Sequence, residues 1–259
     1  GQIATLILPA DTAWGPAQNV VTARQAAPRT KVSSSAVKGA VEMLTNGKNA
    51  TLLLAGPALT EKGLQIAGRI ASKTGCGLLS EGANARLARG AGIPQVLRIP
   101  FVVDQAVEML KEAGQLVLIG AKPPVAFFGY PGKPSLLYQE GIPMTRLANV
   151  EDDIIAALEA LEAELGAQNS EMAHVAQAGR PDKPSGEPTL ENLAAVMGNM
   201  LPDGAIVVDE SVTTGRGFFP ATAGAARHDW LNNRGGSIGF GMPVAIGAAV
   251  AAPDRKVIL

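Results

Sequence analysis

Short apolar runs alternate with longer amphipathic segments along most of this chain, and that alternation predicts its elements. Ala36 to Asn46 sets Val37, Val41 and Leu44 at helical spacing behind Ser33-Ser34-Ser35 and stops at Gly47, which predicts a helix. Thr51-Leu52-Leu53-Leu54-Ala55 is continuously apolar, as expected of a strand buried on both faces. Gly56-Pro57-Ala58 turns the chain, and Thr60-Glu61 opens a helix bearing Leu64, Ile66, Ala67, Ile70 and Ala71. Gly77-Leu78-Leu79-Ser80 and Gln115-Leu116-Val117-Leu118-Ile119 read as further strands, with a helix over Val102–Ala113. Runs near Leu136-Leu137-Tyr138 and Pro143–Leu147 read as two more, and Glu151–Leu165 closes the unit as a helix. Strands and helices alternating in this way imply βαβ units and a largely parallel sheet, so residues 33–165 are read as one α/β domain.

The flanks differ. Ile3-Ala4-Thr5-Leu6-Ile7-Leu8 is β-like and ends at Pro9; the stretch behind it is polar, punctuated by Pro and Gly, and reads as a connection. Gly166–Pro188 has little to bury and reads as an extended surface linker, with His174 in it given no role. A second α/β unit begins at Thr189, where Thr189 and Asn192 mark a capped helix with Leu193, Val196, Met197 and Met200 on one face. Pro202-Asp203-Gly204 then turns into the strand Ala205–Val208. Asp209-Glu210-Ser211-Val212-Thr213-Thr214-Gly215 stand at its carboxyl end, where ligands gather in parallel α/β sheets. Gly235 to Gly241 holds four glycines in seven residues, a backbone that turns sharply or admits a close approach. Pro243 reads as the N1 residue of the apolar helix that follows. Arg255–Leu259 reads as a strand just begun, so the chain is read as a segment of something larger.

Composition narrows the class. At 259 residues, 47% hydrophobic and 17% charged, the chain has enough apolar content for about two packed domains. A net charge of −1, from 22 basic and 23 acidic residues spread along the sequence, argues against nucleic-acid partners and a membrane-surface helix. No apolar run reaches the roughly 18 residues of a membrane span. The single cysteine, Cys76, excludes an internal disulfide, fits a reducing compartment such as the cytoplasm, and reads as a buried structural thiol.

The second unit, with its strand end Val208-Asp209-Glu210-Ser211-Val212-Thr213, Trp230, and the element Gly236-Ser237-Ile238-Gly239-Phe240-Gly241-Met242-Pro243-Val244-Ala245-Ile246-Gly247, resembles the C-terminal domain of thiamine-diphosphate enzymes of the acetolactate synthase and benzoylformate decarboxylase group. The resemblance implies a division into the end of a pyrimidine-binding domain (1–15), a linker (16–32), a Rossmann-like central domain (33–165), a linker (166–188) and part of a diphosphate-binding domain (189–259). It also implies a homodimer or homotetramer acting on a small 2-oxo acid, by decarboxylation with aldehyde release or carboligation.

By the same resemblance, Ser211, Val212 and Thr213 fall where the family holds the cofactor diphosphate, and hydroxyls and free N–H groups ahead of a helix suit a phosphate. Gly236 matches the position whose carbonyl accepts from the aminopyrimidine amino group. Ile238 matches the apolar residue that props the cofactor into a bent shape, and so becomes the candidate catalytic position. The family's Mg²⁺ motif is expected after Leu259, so no metal ligand is assigned here. The catalytic glutamate belongs to another domain, and neither Asp209 nor Glu210 inherits it. Gly120-Ala121-Lys122-Pro123-Pro124 replaces the Arg and Asp of flavin-binding members, so bound FAD is not expected. The competing reading is a non-catalytic nucleotide-binding module in the central domain, against which Gly56-Pro57-Ala58 lacks a G-x-G-x-x-G phosphate loop.

Overall fold

The computed structural model, which describes residues 5–259, has two sheets, the second of which takes its edge strand from within the chain span of the first. A short helix α1 (Ala10–Trp14) precedes α2 (Ser34–Thr45), whose first turn is capped by Ser33 Oγ accepting from Ala36 N–H. The first unit then runs β1 (Ala50–Leu54), α3 (Glu61–Thr74), β2 (Gly77–Ser80), β3 (Leu87–Arg89), β4 (Leu97–Arg98), α4 (Val103–Lys111), β5 (Gln115–Ile119), β6 (Met144–Ala148) and α5 (Ile154–Glu164). The second runs α6 (Leu190–Met200), β7 (Ala205–Asp209), α7 (Phe218–Ala221), β8 (His228–Asn232), α8 (Gly241–Ala251) and β9 (Val257–Ile258).

The first sheet has the order β4-β2-β1-β5-β6 with every pairing parallel, the arrangement of a Rossmann-like half-fold. Strand β1 sits at its centre and is buried throughout. Because side chains alternate across a strand, Leu52 and Leu54 join the core under α2, α3 and α5, whereas Leu53 joins the opposite core under α4. Each such fully buried leucine contributes about 1.5–3 kcal/mol. Arg69 Nε donates to the buried Glu162 at 2.5 Å, fastening α3 to α5.

The second sheet has the order β3-β8-β7-β9. Its strands β7, β8 and β9 are parallel, and Trp230 on β8 is its largest fully buried side chain. The edge strand β3 comes from the first unit and pairs antiparallel, Leu87 with Trp230 and Arg89 with His228. Residues 33–165 therefore do not all build one sheet.

Some local expectations are corrected. Residues 5–9 form no strand, and Leu6 and Ile7 are exposed; Ile3 and Ala4 lie outside the described residues. Leu136–Tyr138 makes only an isolated bridge from Leu136 to Val125, because Pro123, Pro124 and Pro134 bring no N–H that could extend it into a ladder. The 166–188 stretch is stitched down along its first half. Ala173 N–H donates to Gly68 O at 2.9 Å, Ala176 N–H to Ile93 O at 3.0 Å, and Ala167 and Ala176 are buried. Small apolar residues gave it no visible hydrophobic pattern, yet its backbone groups still found partners.

Candidate functional site

Asp209 ends β7, and the turn after it is built by local side-chain bonds. Asp209 Oδ1 accepts from the Ser211 N–H at 3.0 Å and from the Ser211 hydroxyl at 2.5 Å. Ser211 thus has both donors turned back onto β7. Val212 follows at φ +43°, a conformation that costs a β-branched residue on the order of 1–3 kcal/mol. Its side chain is 82% exposed. The N–H groups of Val212 and Thr213 donate to none of the described residues, and Thr213 is exposed. The turn at the carboxyl end of a central strand thus leaves two backbone donors without a partner among the described residues.

The glycine loop meets this turn through Glu210. One carboxylate oxygen of Glu210 accepts from Gly239 N–H, and the other accepts from Gly241 N–H at 2.7 Å. The carboxylate thereby satisfies orphan donors at the start of α8 and favours its positive dipole end. A Cβ on Gly241 would stand 2.6 Å from Glu210 Oε2, so the close approach requires glycine. Sequence reasoning assigned Glu210 no role; the signal was its position one residue before Ser211, but only the fold brings it 29 residues along the chain to Gly239. Pro243 is the third helical residue of α8 rather than the first, where its missing N–H is equally harmless.

On the far side of that clamp, Gly236 adopts φ +69° and Ile238 is 97% exposed. Asn233 shapes the loop by accepting from Gly235 N–H at 2.9 Å and donating to Ser237 O. Glu210 thus ties the turn that carries Ser211, Val212 and Thr213 to the start of α8, just after the loop that carries Gly236 and Ile238. The first sheet contributes as well: Glu81, just past β2, accepts from Lys122 N–H at 2.9 Å and faces Arg234 at 3.5 Å. The carboxyl ends of both sheets therefore meet around this loop.

Below the site, charge is buried deliberately. Arg89 on β3 donates to Thr222 Oγ1 at 2.9 Å and Phe219 O at 2.6 Å, with its guanidinium 3.3 Å over the Phe219 ring. Burial, with Arg98 nearby, lowers its pKa to about 9. His228 is also buried; desolvation lowers its pKa to about 4, and Nδ1 lies 2.8 Å from Ala226 O while Nε2 has no partner. Asp229 receives Arg86 at 2.7 Å and Arg255 at 2.9 Å, locking β8 to its surroundings. Among the described residues no group of three or more His, Cys, Asp or Glu is placed to hold a metal, and no helix is long and apolar enough to cross a membrane.

The two sheets and their meeting point define a known architecture. The chain superposes on a thiamine diphosphate-dependent 4-hydroxybenzoylformate decarboxylase of Rhodococcus jostii RHA1 with a TM-score of 0.66 at 20% identity, over 91% of this chain and 47% of that one. It superposes on "a putative thiamin diphosphate-dependent enzyme" from Mycobacterium smegmatis with a TM-score of 0.69 at 21% identity, over 93% of this chain and 50% of that one. The fold is that of thiamine-diphosphate enzymes: a Rossmann-like parallel sheet adjoining a sheet of the cofactor-binding type. In sequence the chain is 45% identical over 261 aligned residues to the "Putative acetolactate synthase large subunit IlvX" of Mycobacterium tuberculosis (strain ATCC 25618 / H37Rv), covering 99% of this chain and 49% of the relative. The chain therefore resembles thiamine-diphosphate enzymes of the acetolactate synthase and benzoylformate decarboxylase group, and spans about half the length of the curated relative it matches. No protein-family model matches it.

Proposed function

We propose that this chain contributes one half of a thiamine-diphosphate site to an enzyme that decarboxylates a 2-oxo acid, with the acyl unit released as an aldehyde or joined to a second carbonyl compound as an acyloin such as acetolactate. The observation that carries the reading is the Glu210 clamp, which holds a turn with two free N–H donors beside a glycine loop bearing an unpacked isoleucine.

The residues present fit the cofactor. The Val212 and Thr213 N–H groups, with the Thr213 hydroxyl, suit a diphosphate oxygen, whereas Ser211 serves by shaping the turn because its donors are already engaged by Asp209. Gly236 allows a ring to approach its carbonyl, and Ile238 offers an apolar surface that no described part of the chain covers. When bound, thiamine diphosphate supplies the electron sink that makes loss of carbon dioxide feasible. Ile238 would hold the reacting groups in register, a proximity effect, and an apolar wall there would disfavour the charged substrate relative to its decarboxylated product. The diphosphate charge would be met by Mg²⁺, whose ligands we assign to no residue of this chain. A homo-oligomeric cytoplasmic enzyme is the context this reading implies.

Calorimetry on the full-length protein tests the assignment. Thiamine diphosphate with Mg²⁺ should bind and ADP, NAD and FAD should not. Tight nucleotide binding without thiamine diphosphate binding would instead support a nucleotide-binding module.

A further inference from the structure

At the amino end of the second sheet, opposite the candidate cofactor turn, lies a cavity of about 250 Å³. Gly204 and Arg227 stand there directly before β7 and β8, and Arg255 two residues before β9. Arg86, just ahead of β3, and Glu61, the first residue of α3, line it from the first unit. Strand β7 is five residues long, so at about 3.3 Å per residue the cavity lies roughly 16 Å from the 211–213 turn.

Its charges are arranged around the buried carboxylate of Asp229. Arg86 grips that carboxylate as a fork, Nε donating to Oδ1 at 2.7 Å and one Nη to Oδ2 at 2.9 Å. Arg255 reaches the same Oδ2 at 2.9 Å and donates to Ala205 O at 3.1 Å. Arg227 pairs with Glu61 at 2.6 Å. Three guanidinium groups thus face two carboxylates, and His228, whose pKa burial lowers to about 4, adds no charge at neutral pH. The lining keeps one positive charge unbalanced.

A clasp between the two units explains the ion pairs but not this surplus. A guanidinium carries five N–H donors. Arg227 commits a single Nη to an acceptor, and the second Nη of Arg86 has none among the described residues. Both side chains are more than half exposed, so these donors can be reached from solution. Planar forks of this kind match the paired oxygens of a carboxylate or a phosphate. The volume falls below the about 300–1,000 Å³ of pockets for drug-sized ligands, which suits a small anion and not a nucleotide.

We infer that this cavity is a second ligand site, which takes one small oxyanion, a carboxylate or phosphate group, on the free donors of Arg86 and Arg227. Arg86 belongs to the chain span of the first unit and Arg227 to the second, so the bound anion ties the two together.

The test is calorimetric titration of inorganic phosphate and, separately, acetate into the full-length protein, in chloride buffer of constant ionic strength. At least one of the two should bind saturably at one site, and the tighter identifies the group recognised. The Arg86→Gln/Arg227→Gln variant should lose about 100-fold in that affinity, and Arg227→Gln alone about tenfold. Gln keeps a donor at each position and Arg255 still pairs with Asp229; the single variant, whose partner Glu61 lies at the surface, carries the test if the double one fails to fold. The anion should also raise the melting temperature of the wild type and not of the variants. Saturable binding of neither anion overturns the inference. So does binding unchanged in the variants, which would put the anion elsewhere, as at the 211–213 turn. Thiamine diphosphate binding is measured separately, and none of these outcomes bears on it.

Discussion

At the scale of single residues, Ile238, Glu210 and His228 separate function from stability. Ile238 touches almost nothing in this chain, so Ile238→Ala should change stability by no more than about 0.5 kcal/mol. Its expected effect on turnover of the full-length enzyme is a loss of about tenfold or more. Steady-state rates and thermal melts on one preparation check both halves, and an unchanged rate would refute the prop. Glu210→Ala should behave differently. It leaves the Gly239 and Gly241 N–H groups without their acceptor, costing about 1–2 kcal/mol and weakening cofactor binding as the loop loosens. Glu210→Gln, which keeps one acceptor oxygen, should recover part of the loss. His228 sets a pH dependence. Its folded pKa of about 4 lies below the ordinary 6.5, so the unfolded chain takes up the proton first. Stability is then fully present above pH 6.5 and declines as pH falls from 6.5 towards 4, by up to roughly 3 kcal/mol. Urea titrations across that range should show the slope in the wild type and lose it in His228→Leu.

At the scale of elements, legibility followed continuity of pattern. β1 and β5 are five-residue runs buried along their whole length, and the sequence marks them without ambiguity. Helices α2, α3 and α6 announce themselves through Ser33, Thr60 and Thr189, each of which accepts from an N–H of its first turn. β3 was not legible: three residues ending in an arginine give no period, and its partner lies more than 130 positions away. What makes it a strand is tertiary, the seating of Arg89 over Phe219 between the two units. Arg89→Met should therefore lower stability by about 1–3 kcal/mol, since it removes two buried hydrogen bonds and leaves the Phe219 carbonyl only the Thr222 hydroxyl at 3.2 Å. Cys76 reads correctly as buried, and burial raises its pKa to about 11. Thiol-specific reagents should label it only after denaturation. Of the candidate site, the glycines and Ile238 could be picked out as a motif, but the clamp that aligns them with residues 211–213 could not, because Glu210 is unremarkable until folding places it at the start of α8.

At the scale of the whole molecule, the chain presents surfaces that call for further protein or ligand. Helix α8 is apolar on every side, a character that belongs to buried helices, yet Ile246 is 59% and Val250 78% exposed. Ile238 and Val212 are exposed in the same molecule. Such surfaces accord with the half-length match to the curated relative and with a site completed by other residues. In the proposed site, Gly236, Ile238 and the 211–213 turn hold thiamine diphosphate for 2-oxo acid chemistry. Its most direct test is carbon dioxide release from phenylglyoxylate and pyruvate by the full-length protein, with and without thiamine diphosphate and Mg²⁺. Release should depend on the cofactor and fall about tenfold or more in Ile238→Ala. Release from neither acid at saturating cofactor, or release indifferent to both the cofactor and Ile238, would contradict it.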